Sequence, residues 1–569
     1  MTKCEYYKNY CECFDALEND ICCILHSKNE NKDKNEFKKF LENYIEKNSD
    51  KKRLNLSNIL FVSDLIYTGI EFNQEIDFSE SIFNDKVWFY NCIFINSIVF
   101  SSSTFNEEVN FSESTFNQVT SFNETKFNNI AYFSKSKFNN KLNFNNSLFS
   151  KCYFEKTKFN EEVYFSKSEF LEISIFEGAV FSKIADFSGS TFNNKAYFEE
   201  TKFNGEVYFL ETRFKKELDL KNSNFEKKVE FIEANFIGII DFFSAHFKDK
   251  VYFNKSNFES DAFFISTEFC DDVEFYCKFK KEINFFNSKF HKHSNFSGSN
   301  FYDLAYFKGA SFLSTTDFSQ CTFQKRVSFF DSHFFDKVDF SNSMFNSFAE
   351  FIGDIKKTDY IFRISYLFLE SKNLANFLSD KIMNRKDEIL KILKENSFLD
   401  KKLPLRDLDK INELNITEKE ILTKKFILQS DFISVEIDFS SCLGTDKLIF
   451  INADLSKVSF INSDLRKTDF TNIKWNKKNN RIILYDENNF IKNITLKEQF
   501  FNYFNYFIKK KKFYNNINNF NSLEKLYREI KQNYEERKEY ILAGEFNISE
   551  KEIKLNNPET GKKIKCVKE

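Results

Sequence analysis

Six residues near the start of the chain have side chains that could do chemistry: Cys4, Cys11, Cys13, Cys22, Cys23 and His26. The step Cys23-x-x-His26 brings a thiolate and an imidazole within reach of one ion, and cysteines upstream can complete a tetrahedral sulfur and nitrogen set for Zn²⁺. The expected ligands are Cys4, Cys13, Cys23 and His26. Cys11 or Cys22 can substitute, because the spacing is irregular, and the competing reading is plain buried thiols. A leading module of about fifty residues rich in Lys, Glu and Asn has little core of its own, so one structural zinc would staple it.

No other cofactor is expected, and no catalytic residue stands out. His291 and His293 form a His-x-His step in "KFHKHSNF", but they lie between core positions and are expected outward, as are His246 and His333. There is no nucleophile elbow, phosphate-cradling glycine loop or HExxH pattern. With 11 Gly in 569 residues, phosphate loops have little material. The chain is not expected to be an enzyme.

The elements that position these residues follow from an unusual composition: 79 Phe against 2 Pro, with a formal net charge of −3. A disordered chain is poor in aromatics, so this one must fold. Near-neutral charge offers no electrostatic case for nucleic acid or an anionic membrane. No stretch reaches the ~18–20 apolar residues that cross a bilayer, and the N-terminus lacks a secretion signal. A cytoplasmic, reduced protein is expected, and the Lys, Asn, Ile and Phe bias suits an AT-rich bacterial genome. The 12 Cys are then core residues or metal ligands rather than disulfides, with Cys92, Cys152, Cys277 and Cys321 on the core side.

From Phe78 to Phe351 a ruler of alternating five- and six-residue steps marks 51 positions, 50 of them Phe and one Leu220. Steps are short at Phe149→Phe154 and Phe275→Phe279. Neither a helical nor a flat-strand period generates this spacing. Two residues before each Phe that ends a five-step stands a small residue (Ser81, Ser103, Ser114, Thr125). Before those that end a six-step the residue is often slightly larger and apolar, such as Val87, Ile98 or Val109. Residues two apart on an extended backbone face one side. Each short strand therefore turns one small and one large residue inward, then bends a corner. Four corners close a coil of about 22 residues, and about 12 coils stacked at ~4.8 Å make a rod of roughly 60 Å.

This pattern resembles the pentapeptide-repeat proteins, whose repeat is commonly written A(D/N)LXX. "FINADLSKVSFINSDLRKTDFTNIKW", residues 450–475, is similar to the ordinary form, with Phe450, Leu455, Phe460, Leu465, Phe470 and Trp475 strictly every five. The resemblance implies a mainly β fold, a right-handed quadrilateral β-helix, and the Cys-rich start also looks like that of relatives. Residues 522–552 resemble a C-terminal helical hairpin of some bacterial relatives, through Leu526, Tyr527, Arg528, Lys531, Asn533, Tyr534, Glu535, Tyr540, Ala543, Gly544 and Phe546. There the hairpin often precedes membrane spans; here "NNPETGKKIKCVKE" follows instead. Leu526, Ile530 and Tyr534 should face Tyr540, Ala543 and Phe546 of the second helix.

The expected organisation is a Cys-rich module over 1–53, the Phe-ladder β-helix over 54–352 and a helical insertion over 353–428. A second repeat segment over 429–476, short strands and a linker over 477–521, and the hairpin with a polar tail over 522–569 complete it. The leading functional expectation is a scaffold binding unknown protein partners, with monomer and homodimer both open. One alternative is mimicry of DNA toward an enzyme such as gyrase, as some pentapeptide-repeat proteins do, although the acidic excess is thin for a duplex mimic. The other is a membrane-associated signalling or channel-regulatory protein without its spanning segments. The terminal modules could equally be caps that cover the solenoid ends.

Overall fold

The computed structural model describes residues 23–352, 437–442, 448–451, 453–471, 473–478, 481–490 and 513–557. Over these residues the chain winds into a four-sided β-helix whose strands pair in parallel with those of the next coil. Its first face is a sixteen-stranded sheet running from Arg53–Asn55 to Val458–Ser459. The second and third faces form one 28-stranded sheet, because Lys126–Tyr132 and Leu148–Tyr153 pass a corner as unbroken strands. The fourth face has thirteen strands, from Glu71–Phe72 to His333–Phe334. Sixteen rungs at the parallel-strand spacing span roughly 70 Å, longer than the expected rod. Coils before Phe78 and the second repeat segment account for the difference.

The register is the ruler read in space. Ile98 pairs with Thr120 and Val229 with Val251, a 22-residue coil. Each short step makes one coil a residue shorter: Leu142 pairs with Val163, and Val273 with Ser294. The first is absorbed by a register shift between Phe127 and Ile130, beside Phe149 and Lys151. No ruler side chain is more than 2% exposed, Leu220 included. Phe187 shows the packing. It stacks between Phe165 at 4.9 Å and Phe209 at 5.1 Å, and meets Phe176 and Phe198 edge-on at 5.8 and 5.6 Å. Both geometries suit the ring quadrupole.

The small slots do more than make room. Thr125 donates its hydroxyl to the Phe100 carbonyl at 2.8 Å, Ser147 to Phe122 at 2.6 Å and Thr212 to Phe187 at 2.9 Å, each bond tying a coil to the one before. Cys277 and Cys321 fill the same slots, their thiols 2.9 and 3.0 Å from the Phe253 and Phe296 carbonyls. Burial pushes the Cys152 thiol up to about 12, as expected of a core cysteine.

Five-step corners are tight turns: the Phe198 carbonyl accepts the Thr201 amide at 3.2 Å, with Glu200 between them at φ 55°. A type II turn needs that left-handed residue, normally Gly. Here Gly189 (φ 68°) is outnumbered by Glu, Lys, Asn and Ser at equivalent corners, such as Lys167 (φ 57°) and Asn222 (φ 54°).

The stack continues across the interruption. Val338 pairs with Ile437 and Ala349 with Leu448, while Phe340 stacks on Phe439 at 4.9 Å and Phe351 on Phe450 at 5.3 Å. The intervening chain thus leaves and re-enters one rod; the expected helices of 353–428 lie outside the described residues. Beyond it the coil tightens, with Phe450 opposite Phe470, the spacing that strict five-residue steps require.

Phe187→Ala should cost about 3–5 kcal/mol, because a ring contacted on four sides leaves a cavity. Phe187→Leu should cost distinctly less, following Leu220, and Ser190→Ala about 1 kcal/mol for its bonds to the Phe165 and Phe187 carbonyls. Urea unfolding followed by circular dichroism would check the order; a leucine variant as unstable as the alanine one would contradict the packing account.

Candidate functional site

Three places outside the ladder gather polar side chains into defined geometry: the two rod ends and a group on the fourth face. At the N-terminal end, Asp33 caps helix α1 (Lys34–Lys47) by accepting the Glu36 amide at 2.7 Å. The helix buries Phe37, Leu41 and Tyr44; Phe37 meets Phe61 edge-on at 5.8 Å, and the Tyr44 hydroxyl donates to the Asn55 carbonyl at 3.1 Å. A turn precedes it in which the amides of His26 and Ser27 donate to the Cys23 carbonyl. This turn brings Cys23 Sγ within 3.3 Å of His26 Nδ1, both side chains being buried. Lys32 clamps it, donating to the carbonyls of Ile24, Leu25 and Ser27 at 2.9, 3.2 and 3.1 Å. Of the expected zinc ligands, Cys23 and His26 are therefore together on one buried knuckle. Cys4 and Cys13, with Cys11 and Cys22, lie outside the described residues.

At the other end, helices α2 (Phe513–Glu536) and α3 (Tyr540–Asn556) lie against each other over the last coil. Asn533 donates its amide to the carbonyls of Leu465 and Thr468 at 2.8 and 2.7 Å, satisfying acceptors with no further coil to pair with. Trp475 donates its indole N–H to the Tyr534 hydroxyl at 3.0 Å and meets Phe546 edge-on at 5.3 Å. The Leu484 amide reaches the Tyr527 hydroxyl at 2.9 Å. Arg528 and Lys531 bridge to Glu550 of α3, and Tyr527, Asn533, Tyr534 and Phe546 serve the junction with the rod. Tyr540 does not: it is 68% exposed, because it opens α3 above the interface and Ala543 and Phe546 carry the inward face.

The outward rows of the rod carry interleaved charge. Lys195 pairs with Glu217 at 2.8 Å, Lys250 with Asp272 at 3.1 Å and Lys255 with Glu233 at 3.0 Å, each partner one coil away. Where Asp219 stacks on Asp241, Lys221 intervenes, at 2.7 Å from the first and 3.4 Å from the second. Burial nonetheless pushes Asp241 up to about 6. Burial, with Asp261 nearby, pushes Glu282 up to about 7.

The histidines are outward, as expected, but the His-x-His step is no chelate. His293 Nδ1 turns to Thr315 Oγ1 at 2.8 Å, while His291 Nε2 lies 2.7 Å from Glu268 Oε1. On the adjacent rung His246 Nδ1 is 3.0 Å from Glu268 Oε2, and its Nε2 is 3.7 Å from Cys270 Sγ. Burial opposes ionisation of Glu268, but the bond from His291 and the two imidazoles hold its carboxyl below the usual range. Local motif reading missed this group because its members are one coil apart in sequence. Indexing outward residues by coil would have found it.

Two family models describing pentapeptide repeats match the chain, one over residues 78–126, 122–169 and 176–224 and the other over 447–473. No curated protein and no solved structure matches it. Among the described residues no helix is long and apolar enough to cross a membrane.

The raised carboxyl of Glu282 gives a pH signature. The native state holds that proton more tightly than the unfolded chain, so its stabilising contribution is complete below pH ~4.5 and declines as pH rises toward 7. Glu282→Gln should therefore match the parent near pH 4.5 and exceed it by about 1–2 kcal/mol at pH 7.5. Paired urea titrations at the two pH values would check this, and an equal offset at both would refute it.

Proposed function

Since the chain is a pentapeptide-repeat protein, we propose that it serves as a non-enzymatic scaffold that binds protein partners on the outer surface of the rod. The observation that carries this reading is the division of labour between inward and outward positions. Inward residues are consumed by the ladder, and both ends are covered by packed modules. The faces and corners are what remain for recognition. They repeat at the strand spacing, so a partner can meet a row of side chains at fixed intervals. Fold alone licenses a binding role only by analogy; the specific partner is a matter of these outward residues.

Exposed apolar side chains on the six-step corners supply anchors of the kind interfaces use. Leu313 and Phe335, 40% and 50% exposed, follow Phe312 and Phe334 on neighbouring rungs of the fourth face. Tyr302 and Phe348, 44% and 54% exposed, lie in corners between the second and third faces. The lysine–acid pairing across coils favours this reading over DNA mimicry, since a mimic needs unbroken negative charge. The unbridged thiols of Cys92, Cys152 and Cys321 suit a reducing cytoplasm. The N-terminal knuckle fits a structural zinc whose ligands include Cys23 and His26, with Cys4 and Cys13 completing the set.

The test is affinity capture from the native cell with the parent chain and a Leu313→Lys/Phe335→Lys variant. The scaffold reading expects defined co-purifying proteins, with at least one lost or reduced tenfold or more in the variant. Identical recovery from both would remove this corner from the binding surface. A parent chain that retains no partner while turning over a small molecule would overturn the scaffold reading.

A further inference from the structure

Consecutive parallel rungs of the fourth face run through His246–Phe247, Glu268–Phe269 and Lys289–Phe290, with His246 opposite Glu268 and Glu268 opposite Lys289. Each inward Phe is followed by another outward residue, so Lys248, Cys270 and His291 form a second outward row beside the first. The two rows bring together an imidazole nitrogen of His246, a carboxylate oxygen of Glu268 and the thiol of Cys270, all within 4.8 Å of one another. We propose that His246, Glu268 and Cys270 bind one Zn²⁺-class divalent cation, and that His291 positions the Glu268 carboxylate for it.

Geometry, donor chemistry and the unusual composition of these rows support the assignment. His246 turns Nδ1 to Glu268 at 3.0 Å and Nε2 to Cys270 at 3.7 Å. One of these nitrogens serves the ion, and with it the three donor atoms lie within 4.8 Å of one another, from which small side-chain rotations reach a tetrahedral set. Ligand bonds of about 2.0–2.3 Å put neighbouring donors roughly 3.2–3.8 Å apart. The donors are one nitrogen, one oxygen and one sulfur, a borderline-soft mixture that suits zinc or cobalt and disfavours calcium and magnesium. Among the described cysteines, Cys270 is the one whose side chain is not buried; the others sit in the core. At the same row positions in earlier coils stand Asn117, Asn139, Asn160 and Ser182, with Thr115, Lys137 and Lys158 in the partner row. The chain has only 5 His, and two of them meet one carboxylate here.

His291 has a separate role. Its Nε2 lies 2.7 Å from Glu268 Oε1, which leaves Oε2 toward His246. Such a bond fixes a ligating carboxylate in the orientation the ion needs. Lys248 belongs to the same row, but Glu226 holds its ammonium at 2.6 Å. His246 and Glu268 are about one-third exposed and Cys270 is partly buried, so a tetrahedral ion would keep one position for water or for a donor from a bound protein. The ion would strap consecutive coils on the face that also carries Leu313 and Phe335. This proposal does not depend on the scaffold reading or on the N-terminal knuckle.

Full-length metal-stripped protein is titrated with Co²⁺ while thiolate-to-cobalt absorption is followed, and then with Zn²⁺ in competition. Parent, Cys270→Ala, His246→Ala, His291→Gln and Cys23→Ser chains are compared, with circular dichroism confirming the fold of each. The proposal expects Cys270→Ala to remove one equivalent of cobalt together with its thiolate band, and His246→Ala to weaken that equivalent at least tenfold. His291→Gln should weaken it about 10–100-fold while keeping the band. Cys23→Ser should leave this equivalent in place, whatever it does to metal at the knuckle. Unchanged stoichiometry and band in both Cys270→Ala and His246→Ala would overturn the site. Loss of all cobalt absorption in Cys23→Ser alone would do the same.

Discussion

Ring-on-ring contact along the rod axis constrains everything else in this protein. A phenylalanine stacked on the one a coil below sets the circumference, because the next ring must return to the same column. Rings in adjacent columns then meet edge-on, as Phe176 and Phe187 do at 89°, so a misplaced coil would lose contacts in two directions. Burying each ring contributes about 1.5–3 kcal/mol, which lets the ladder override weaker local preferences. The corners show the override: glutamate and lysine adopt left-handed backbone at sites where an isolated turn would favour glycine. The short coils show its limit. A missing residue is tolerated only in a corner, where the register shift beside Phe149 leaves the column intact.

The same constraint brings distant sequence positions together outside. Residues one coil apart sit a strand spacing from each other, so the surface is organised by rows rather than by local segments. Like charges stacked in a row are costly, and at Asp219 and Asp241 the chain answers with Lys221 placed between them. Amides run in ladders, with Asn128 donating to Asn106 and Asn160 to Asn139. Against that background, a row reading His, Glu, Lys beside one reading Lys, Cys, His is a local change of chemistry on an unchanged frame. The core does not register it.

Much of the fold was legible because the ladder is written in one residue type. The ruler, the small and large slots and the two short steps could all be read from Phe, Ser, Thr and Val, and each has its place in the coil. The left-handed corners were not legible, since Glu200 and Lys167 carry no turn signal of their own; stacking imposes their conformation. The continuity of the rod through residues 338 and 437 was legible only as a resumption of the pattern, because pairing across a long excursion leaves no local mark. In the hairpin, Leu526, Ile530, Tyr534, Ala543 and Phe546 followed the helical period inward, while Tyr540 lay one turn too early on α3 to reach the rod. The His246–Glu268–Cys270 group was invisible to motif reading for a geometric reason: its spacing is the coil length, and no local motif is that long.

A β-helix cut off at either end would expose unpaired carbonyls and amides and a column of bare rings, a template for end-to-end association. Both ends here are closed by side chains chosen for those groups. Asn533 satisfies the last carbonyls and Trp475 roofs the final rings with Tyr534 and Phe546, while Phe37 and Tyr44 of α1 close the first coil. Closure turns a potentially endless stack into an object of fixed length. On the lateral faces outward residues can change without disturbing a ring below them. Architecture and surface chemistry are therefore encoded in separate positions, which is why the ladder declares the fold so openly and says so little about the outer faces.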